Sequence, residues 1–315
     1  EVFSTFLYDG GVSAPLTINN GIDLSGEGGL VWIKNRSSGV WHQLADTERG
    51  ANKMLSSNSA NAEASRTEHV KSFTSTGFTI GNDNDVNYDV IGGSQDDKHV
   101  SWTFRKAPKF FDVVTYTGNG VNGRDIPHNL GSVPGMIILK NLSRSTEGWR
   151  VYHRGANGGT NPEQYYAMLQ STNAFAAAST PWNNTAPTST EFTLGTDTGS
   201  NGNGNSFVAY LFAHNNNDGG FGPDQDEDII KCGSYTESGS EQEINLGFEP
   251  QWLMIKSSSA SSGWRIFDMM RGFNYSGSAS DPFANAQLEA NSSGVEGNSS
   301  PFFKPTPTGF LAPTG

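Results

Sequence analysis

Along most of this chain, apolar and polar residues trade places over short runs that end in turn residues. RVYHR (150–154) and SWTFR (101–105) put a bulky residue at every second position, as half-buried strands do. MIILK (136–140) and WLMIK (252–256) are instead nearly continuous apolar runs of strand length. Between such runs, stretches like TGNGVNGRD and GTDTGSNGNGN supply turns, and no 3.6-residue period persists beyond a turn or two. The pattern predicts six or seven strands in roughly 110 residues, hence an all-β chain of tandem β-sandwich or jelly-roll-like modules whose strand order stays open.

The same phrases return along the chain. GWRVYHRG (148–155) is answered by GWRIFDMMRG (263–272) and by GVWHQLADTERG (39–50), each setting a Trp among bulky residues and ending in Arg-Gly. LGSVPGMIILK (130–140) and LGFEPQWLMIK (246–256) share Leu-Gly, Pro and Lys at one spacing, and GGLVWIK (28–34) keeps their ending. Tyr8-Asp9-Gly10, Tyr116-Thr117-Gly118 and Tyr235-Thr236-Glu237 stand upstream, while TGFTIG (76–81), TEFTLG (190–195) and TGFLAP (308–313) stand downstream. VSWTF (100–104) closes the first copy and VAYLF (208–212) the second. Lys34, Lys140 and Lys256 lie 106 and 116 residues apart, a domain-sized period and not that of a solenoid.

The expected modules are therefore 1–110, 111–220 and 229–315, with 221–228 as an acidic, Gly-rich linker. The third module reaches Gly315 without a counterpart of VAYLF, so its sheet is expected to lack its last strand. Completion by polypeptide beyond Gly315 or by a neighbouring protomer's strand is expected, the latter making a homo-oligomer.

Composition agrees with short strands and many turns: 38 Gly, 11% aromatic and only 17% charged residues. A net charge of -12 without any Lys/Arg-rich run argues against nucleic acid as a partner. With one cysteine, Cys232, no intrachain disulfide can form. No apolar run approaches the roughly 20 residues of a membrane span, so no membrane insertion is expected. The opening EVFSTFLYDG has neither a basic start nor an apolar segment of leader type, and a first residue Glu1 suggests a processed form or part of something longer.

Chemistry could reside in the repeated phrase, where Asp46 stands near Arg49, His153 beside Arg154 and Asp268 near Arg271. A carboxylate and a guanidinium near a Trp can orient a sugar, and an Asp can act as general acid or base. Because the acidic position becomes His153 in the most regular copy while Trp and Arg-Gly persist, a structural corner is the favoured reading. The recurrent positions Lys34, Lys140, Lys256, Trp41, Trp149, Trp264, Arg49, Arg154 and Arg271 are thus expected to be scaffold, and no catalytic residue is assigned. Trp149, Trp182 or Trp264 could stack on a sugar ring, although strand tryptophans are more often core.

Two acidic strings, GNDNDVN (81–87) with Asp83 and Asp85, and PDQDED (223–228) with Asp224, Asp226 and Asp228, could hold a loop-bound Ca²⁺. Neither has the Gly and Glu spacing of the helix-loop-helix calcium motif, so solvated turns are favoured and no cofactor is expected. His42, His69, His99, His128, His153 and His214 show no paired ligand spacing. No nucleophile elbow, phosphate-binding loop or dinucleotide fingerprint occurs in a suitable context, and GSNGNGNS (199–206) precedes a strand instead of a helix.

Taken together, Y-T-G, the Leu-Gly, Pro and Lys spacing, GWRVYHRG, an L-x-x-N-type segment, FTLG and the closing VAYLFA resemble tandem domains of uncharacterised function. Such domains occur in virion and tail-fibre-like structural proteins of tailed bacteriophages, often marine. The junction VSWTFRKAPKFFDVVTYTGNG is especially similar. The resemblance implies a virion structural protein of the fibre, appendage or capsid-decoration type, located on the virion surface or outside the cell. It implies host-surface attachment through a glycan or receptor, with other virion proteins or copies of itself as partners. A polysaccharide depolymerase and a secreted carbohydrate-binding lectin are the alternatives.

Overall fold

The structure is a computed structural model that describes residues 1–11, 14–87, 97–216, 220–222, 224–273, 286–298 and 303–313. It is all-β, built from antiparallel sheets with only short helical turns. Two sheets repeat one plan. In the first, an opening strand (Phe3–Asp9), a closing strand (Lys98–Arg105), a core strand (Gly29–Asn35) and a corner strand (Gln43–Asp46) lie side by side in that order. In the second, Phe111–Thr117, Ser206–Phe212, Met136–Asn141 and Arg150–His153 take the same places.

The register repeats as well. Lys34 pairs with Val100 and Trp32 with Trp102, just as Lys140 pairs with Val208 and Ile138 with Tyr210. Trp102 and Tyr210 are therefore equivalent. A third sheet places the core strand Trp252–Ile255 beside the corner strand Arg265–Asp268, followed by Ala286–Glu289 and Gly297–Asn298.

A smaller sheet packs outside each of these. Leu16–Asn19 pairs with Gly77–Ile80, Arg124–Pro127 with Glu191–Leu194, and Gln242–Asn245 with Gly309–Ala312. Ile faces Phe in all three, as Ile18 with Phe78, Ile126 with Phe192 and Ile244 with Phe310.

The core strands read as continuous apolar runs because both of their faces are covered. Alternate residues point inward: Leu30, Trp32, Met136, Ile138, Trp102 and Tyr210 belong to one central cluster to which all three large sheets contribute. Their neighbours point outward into separate clusters, Val31 and Ile33 onto Phe78, Ile137 and Leu139 onto Phe192, and Leu253 and Ile255 onto Phe310. Every residue of Gly29–Asn35 and of Met136–Asn141 is buried. Those of Trp252–Ile255 are only half-buried.

The junctions between successive parts are alike. Ala107 exchanges two backbone hydrogen bonds with Phe111, and Asn215 N–H donates to the Ile230 carbonyl at the corresponding place. The stretch read as a linker is anchored, because Phe221 bridges to Glu227 and packs on Phe110 and the central cluster. Residue 223 of that stretch, and residues 217–219 before it, lie outside the described residues.

Tight backbone approach separates the outer strands. Gly77 has φ +148°, and a Cβ there would overlap the Ile18 carbonyl oxygen; at Gly309 it would overlap the Ile244 carbonyl. Glu191 holds the matching position, opposite Pro127, with a side chain. We expect Gly77→Ala and Gly309→Ala each to cost about 1–3 kcal/mol of stability. Glu191→Ala should stay within about 0.5 kcal/mol, as read from denaturant midpoints.

Candidate functional site

The recurrent lysines end their core strands and hold the loops that follow. Lys34 Nζ donates to the carbonyls of Asn35 (2.5 Å) and Ser38 (3.3 Å), and Lys140 Nζ to those of Asn141 (2.6 Å) and Glu147 (2.9 Å). Lys256 Nζ reaches Ser257 O at 2.9 Å, and Thr172 O at 3.1 Å across to the second module. The next residue finishes the loop: Asn35 Oδ1 accepts from the backbone of Ser37 and Ser38, and Asn141 Oδ1 from Ser143 and Arg144. Burial pulls the Lys34 and Lys140 amines down to about 8. Each ammonium is enclosed by loop carbonyls, which makes it a loop anchor.

The tryptophans bind one part of the chain to another. Trp149 Nε1 donates to Ser56 O at 3.0 Å, joining the second module to the first, and Trp264 Nε1 donates to Met168 O at 3.1 Å, joining the third to the second. The matching residue in the first module is not Trp41, which is 43% exposed. It is His42, fully buried, whose Nε2 lies 3.0 Å from Glu289 O in the third module. Because His42 Nδ1 accepts from Trp32 Nε1 at 2.9 Å, its proton sits on Nε2 and the ring is neutral. Burial holds its pKa well below the usual histidine value. Aligning Trp with Trp hides this residue. Counting back four positions from Asp46, His153 and Asp268, which end the three corner strands, reaches His42, Trp149 and Trp264.

Two corners form a closed charge clamp. Asp46 accepts from Arg49 N and Arg49 Nε, and Asp268 from Arg271 N and Arg271 Nε; the second guanidinium nitrogen returns to Leu44 O in one and Ile266 O in the other. A further carboxylate, Glu63 or Glu296, completes each clamp. Both clamps also receive the closing-strand aromatic of the next module. Tyr210 OH donates to Asp46 at 2.8 Å, and Trp102 Nε1 donates to Asp268 at 2.9 Å while its ring lies under the Arg271 guanidinium. The second corner differs. His153 stands where the Asp would be, and Arg154 is exposed instead of folded back, so Arg154 does not share the place of Arg49 and Arg271.

These ring N–H and closing-strand contacts therefore run one way round a ring: second module on first, third on second, first on third.

The acidic string at 81–87 is a structural turn. Asn87 Nδ2 donates to Gly81 O as Asn201 Nδ2 does to Gly195 O, and Tyr8 OH and Tyr116 OH cap the two turns at Val86 O and Ser200 O. Arg66 occupies Asp83 and Asp85, as Arg150 occupies Asp197. Asp224 and Asp226 are exposed and Asp228 half-buried. Among the described residues, no group of three or more His, Cys, Asp or Glu is placed to hold a metal ion. Cys232 is buried against Ala213 O, and burial raises its thiol to about 12, so it is a poor nucleophile. Trp182 is buried against Tyr152.

A large concavity borders the third sheet. A groove of about 1770 Å³ runs beside Trp252–Ile255 and is bordered by residues 228–237, by His153 and by Phe3 and Phe104 of the first module.

The chain belongs to a family described as a domain of unknown function, DUF7483, whose pattern it matches over residues 1–304. No curated protein and no solved structure matches it.

Three outcomes follow from these contacts. Asp46→Asn should cost about 1–3 kcal/mol by leaving Arg49 with Glu63 as its remaining carboxylate, whereas Arg154→Ala should change stability by less than about 0.5 kcal/mol. Trp149→Ala should cost about 3–5 kcal/mol and Trp41→Ala far less, both read from denaturant unfolding. His69 and His99 are buried with pKa values lowered to about 4 by desolvation, so the unfolded chain binds their protons near pH 6.5 and the folded one does not. Stability should be complete above pH 6.5 and fall between pH 6.5 and 4, by up to about 1.4 kcal/mol per pH unit for each. His99→Gln should flatten that slope.

Proposed function

We propose that this DUF7483 chain is a virion surface protein of a tailed bacteriophage, of the fibre, appendage or capsid-decoration type, which works by binding the host envelope and not by catalysis. The observation that carries the reading is how the recurrent polar groups are used. Lys34 and Lys140 anchor loops, Asp46 and Asp268 clamp arginines, and Trp149 and Trp264 tie one part of the chain to another. Residues that could orient or cleave a substrate are committed to holding the ring together, which favours a rigid scaffold over an active centre. A closed ring of sheets around one shared core suits a part exposed outside a cell, since backbone held in that core is not offered to proteases. Many weak contacts, multiplied over copies on one particle, would give attachment through avidity. The similarity of the repeated phrases to virion and tail-fibre-like proteins points the same way.

Labelling intact particles with an antibody against this chain, followed by electron microscopy, tests the location. The expected result is label on the capsid or tail surface, and label absent from intact particles would overturn the proposal. A glycan array run beside a reducing-sugar release assay tests the mode of action. Binding without turnover is expected, and release of sugar ends from any array-positive polysaccharide would replace the binder with a depolymerase.

A further inference from the structure

The seam that closes the ring is built differently from the other two. The second module follows the first along the chain and the third follows the second, whereas the first and third meet only through folding. At the two consecutive seams the ring N–H belongs to Trp149 and Trp264; at the closing seam it belongs to His42. A core-strand position has changed in step with it. Trp32, Ile138 and Met254 are equivalent, since they pair with Leu44, Val151 and Ile266 of the corner strands. The first module thus joins a large core ring to a small corner ring, where the others join Ile or Met to an indole, and the exchange keeps the summed volume similar.

The exchange creates a relay that depends on protonation. Trp32 Nε1 donates to His42 Nδ1 at 2.9 Å, and His42 Nε2–H donates to Glu289 O at 3.0 Å. Only a neutral imidazole with its proton on Nε2 can make both bonds. A second proton would go to Nδ1, set N–H against N–H and leave the buried Trp32 indole without an acceptor. The surroundings oppose that charge. The His42 ring is fully buried, and the cations that act on it are Lys34 of its own module and Arg271 of the third. The carboxylates nearby are engaged. Asp268 and Glu296 hold Arg271, Glu296 also holds Arg36, and Asp46 on the corner strand after His42 holds Arg49. Glu289 accepts from Gln287 at its side chain while its carbonyl faces the ring. The closing strand presents Trp102, stacked on His42 with ring centroids 6.3 Å apart, whose Nε1–H crosses the same seam to Asp268.

We propose that the seam between the first and third modules is an acid-operated latch: a second proton on the His42 ring breaks the Trp32–His42–Glu289 relay and frees the third module from the first, while the two indole seams stay closed. Once the seam is open and the ring meets water, His42 takes that proton near the ordinary histidine value of about 6.5. In the closed form its affinity for the proton is lower, mainly through burial and then through Lys34. The latch is therefore fully set above pH 6.5 and weakens as the pH falls, with the ratio of open to closed chains rising toward about tenfold per pH unit. His69 and His99 make their contacts inside the first module and stay buried when the seam opens, so they do not act on the latch.

Indole N–H exchange followed by NMR on the intact chain, corrected for the intrinsic pH dependence of exchange, reads each seam separately. Trp102 reports the closing seam, and Trp149 and Trp264 report the other two. Over about pH 6.5 to 5, a range above the ordinary titration of carboxylates, protection at Trp102 should fall toward about tenfold per pH unit while Trp149 and Trp264 hold theirs. His42→Gln, whose amide can accept from Trp32 and donate to Glu289 O but takes no proton, should make Trp102 protection flat over the same range. Trp32→Ile combined with His42→Trp, which copies the pair of the second module, should do the same. A pH-independent Trp102 in the unaltered chain, parallel loss at all three indoles, or an undiminished pH dependence in either folded variant would overturn the proposal. The first two outcomes are read on the unaltered chain, so they decide the matter even where a variant does not fold.

Discussion

The structure depends on one constraint: the core strands must be covered on both faces. An isolated pair of packed sheets would cover only the outer face of Gly29–Asn35, leaving Leu30 and Trp32 in water. Covering the inner face takes neighbours, and the chain supplies them by arranging three large sheets around one shared cluster. Phe104 illustrates the economy of the arrangement, since its ring meets Phe111 and Phe212 of the second module and Trp252 of the third. The sheets are therefore interdependent, and the repeats behave as parts of one body more than as beads on a string.

Polar residues set which neighbour goes where. Apolar contacts are non-directional, and three similar sheets could pack on one another in several ways. A buried Asp46 that must satisfy Arg49 and accept from Tyr210, or a Trp149 indole that must find Ser56 O, tolerates far fewer arrangements. Each such group costs desolvation energy when unpaired, so the correct ring is favoured over its alternatives by bonds that only the correct ring can make. His42 shows that the requirement is for a ring N–H at that point and not for tryptophan as such.

Much of this was legible from sequence. The all-β class followed from run lengths and turn residues, and Lys34 and Lys140 hold one register, opposite Val100 and Val208. The closed ring was not legible, because contacts such as Trp102 to Asp268 span 166 residues and leave no local pattern. Nor was the exchange of Trp for His42, since a neighbouring Trp41 offered a closer match in letters while its ring is exposed and that of His42 buried. Arg154 misled for the same reason: Arg-Gly recurs in the letters, but two residues fewer separate it from the corner, so its side chain cannot fold back as Arg49 and Arg271 do. The acidic turn at 81–87 resembled a calcium loop because repeated Asp and Asn also suit a one-turn cap held by Tyr8 and Arg66.

The claim that three sheets share one core and close into a ring is tested most directly by scanning calorimetry of the intact chain. If the ring is the folding unit, heating should give a single transition, with the calorimetric enthalpy equal to the van't Hoff enthalpy, and near-ultraviolet and far-ultraviolet signals should change together. Two or three resolved transitions, each with its own two-state enthalpy, would contradict it and leave three modules that fold independently.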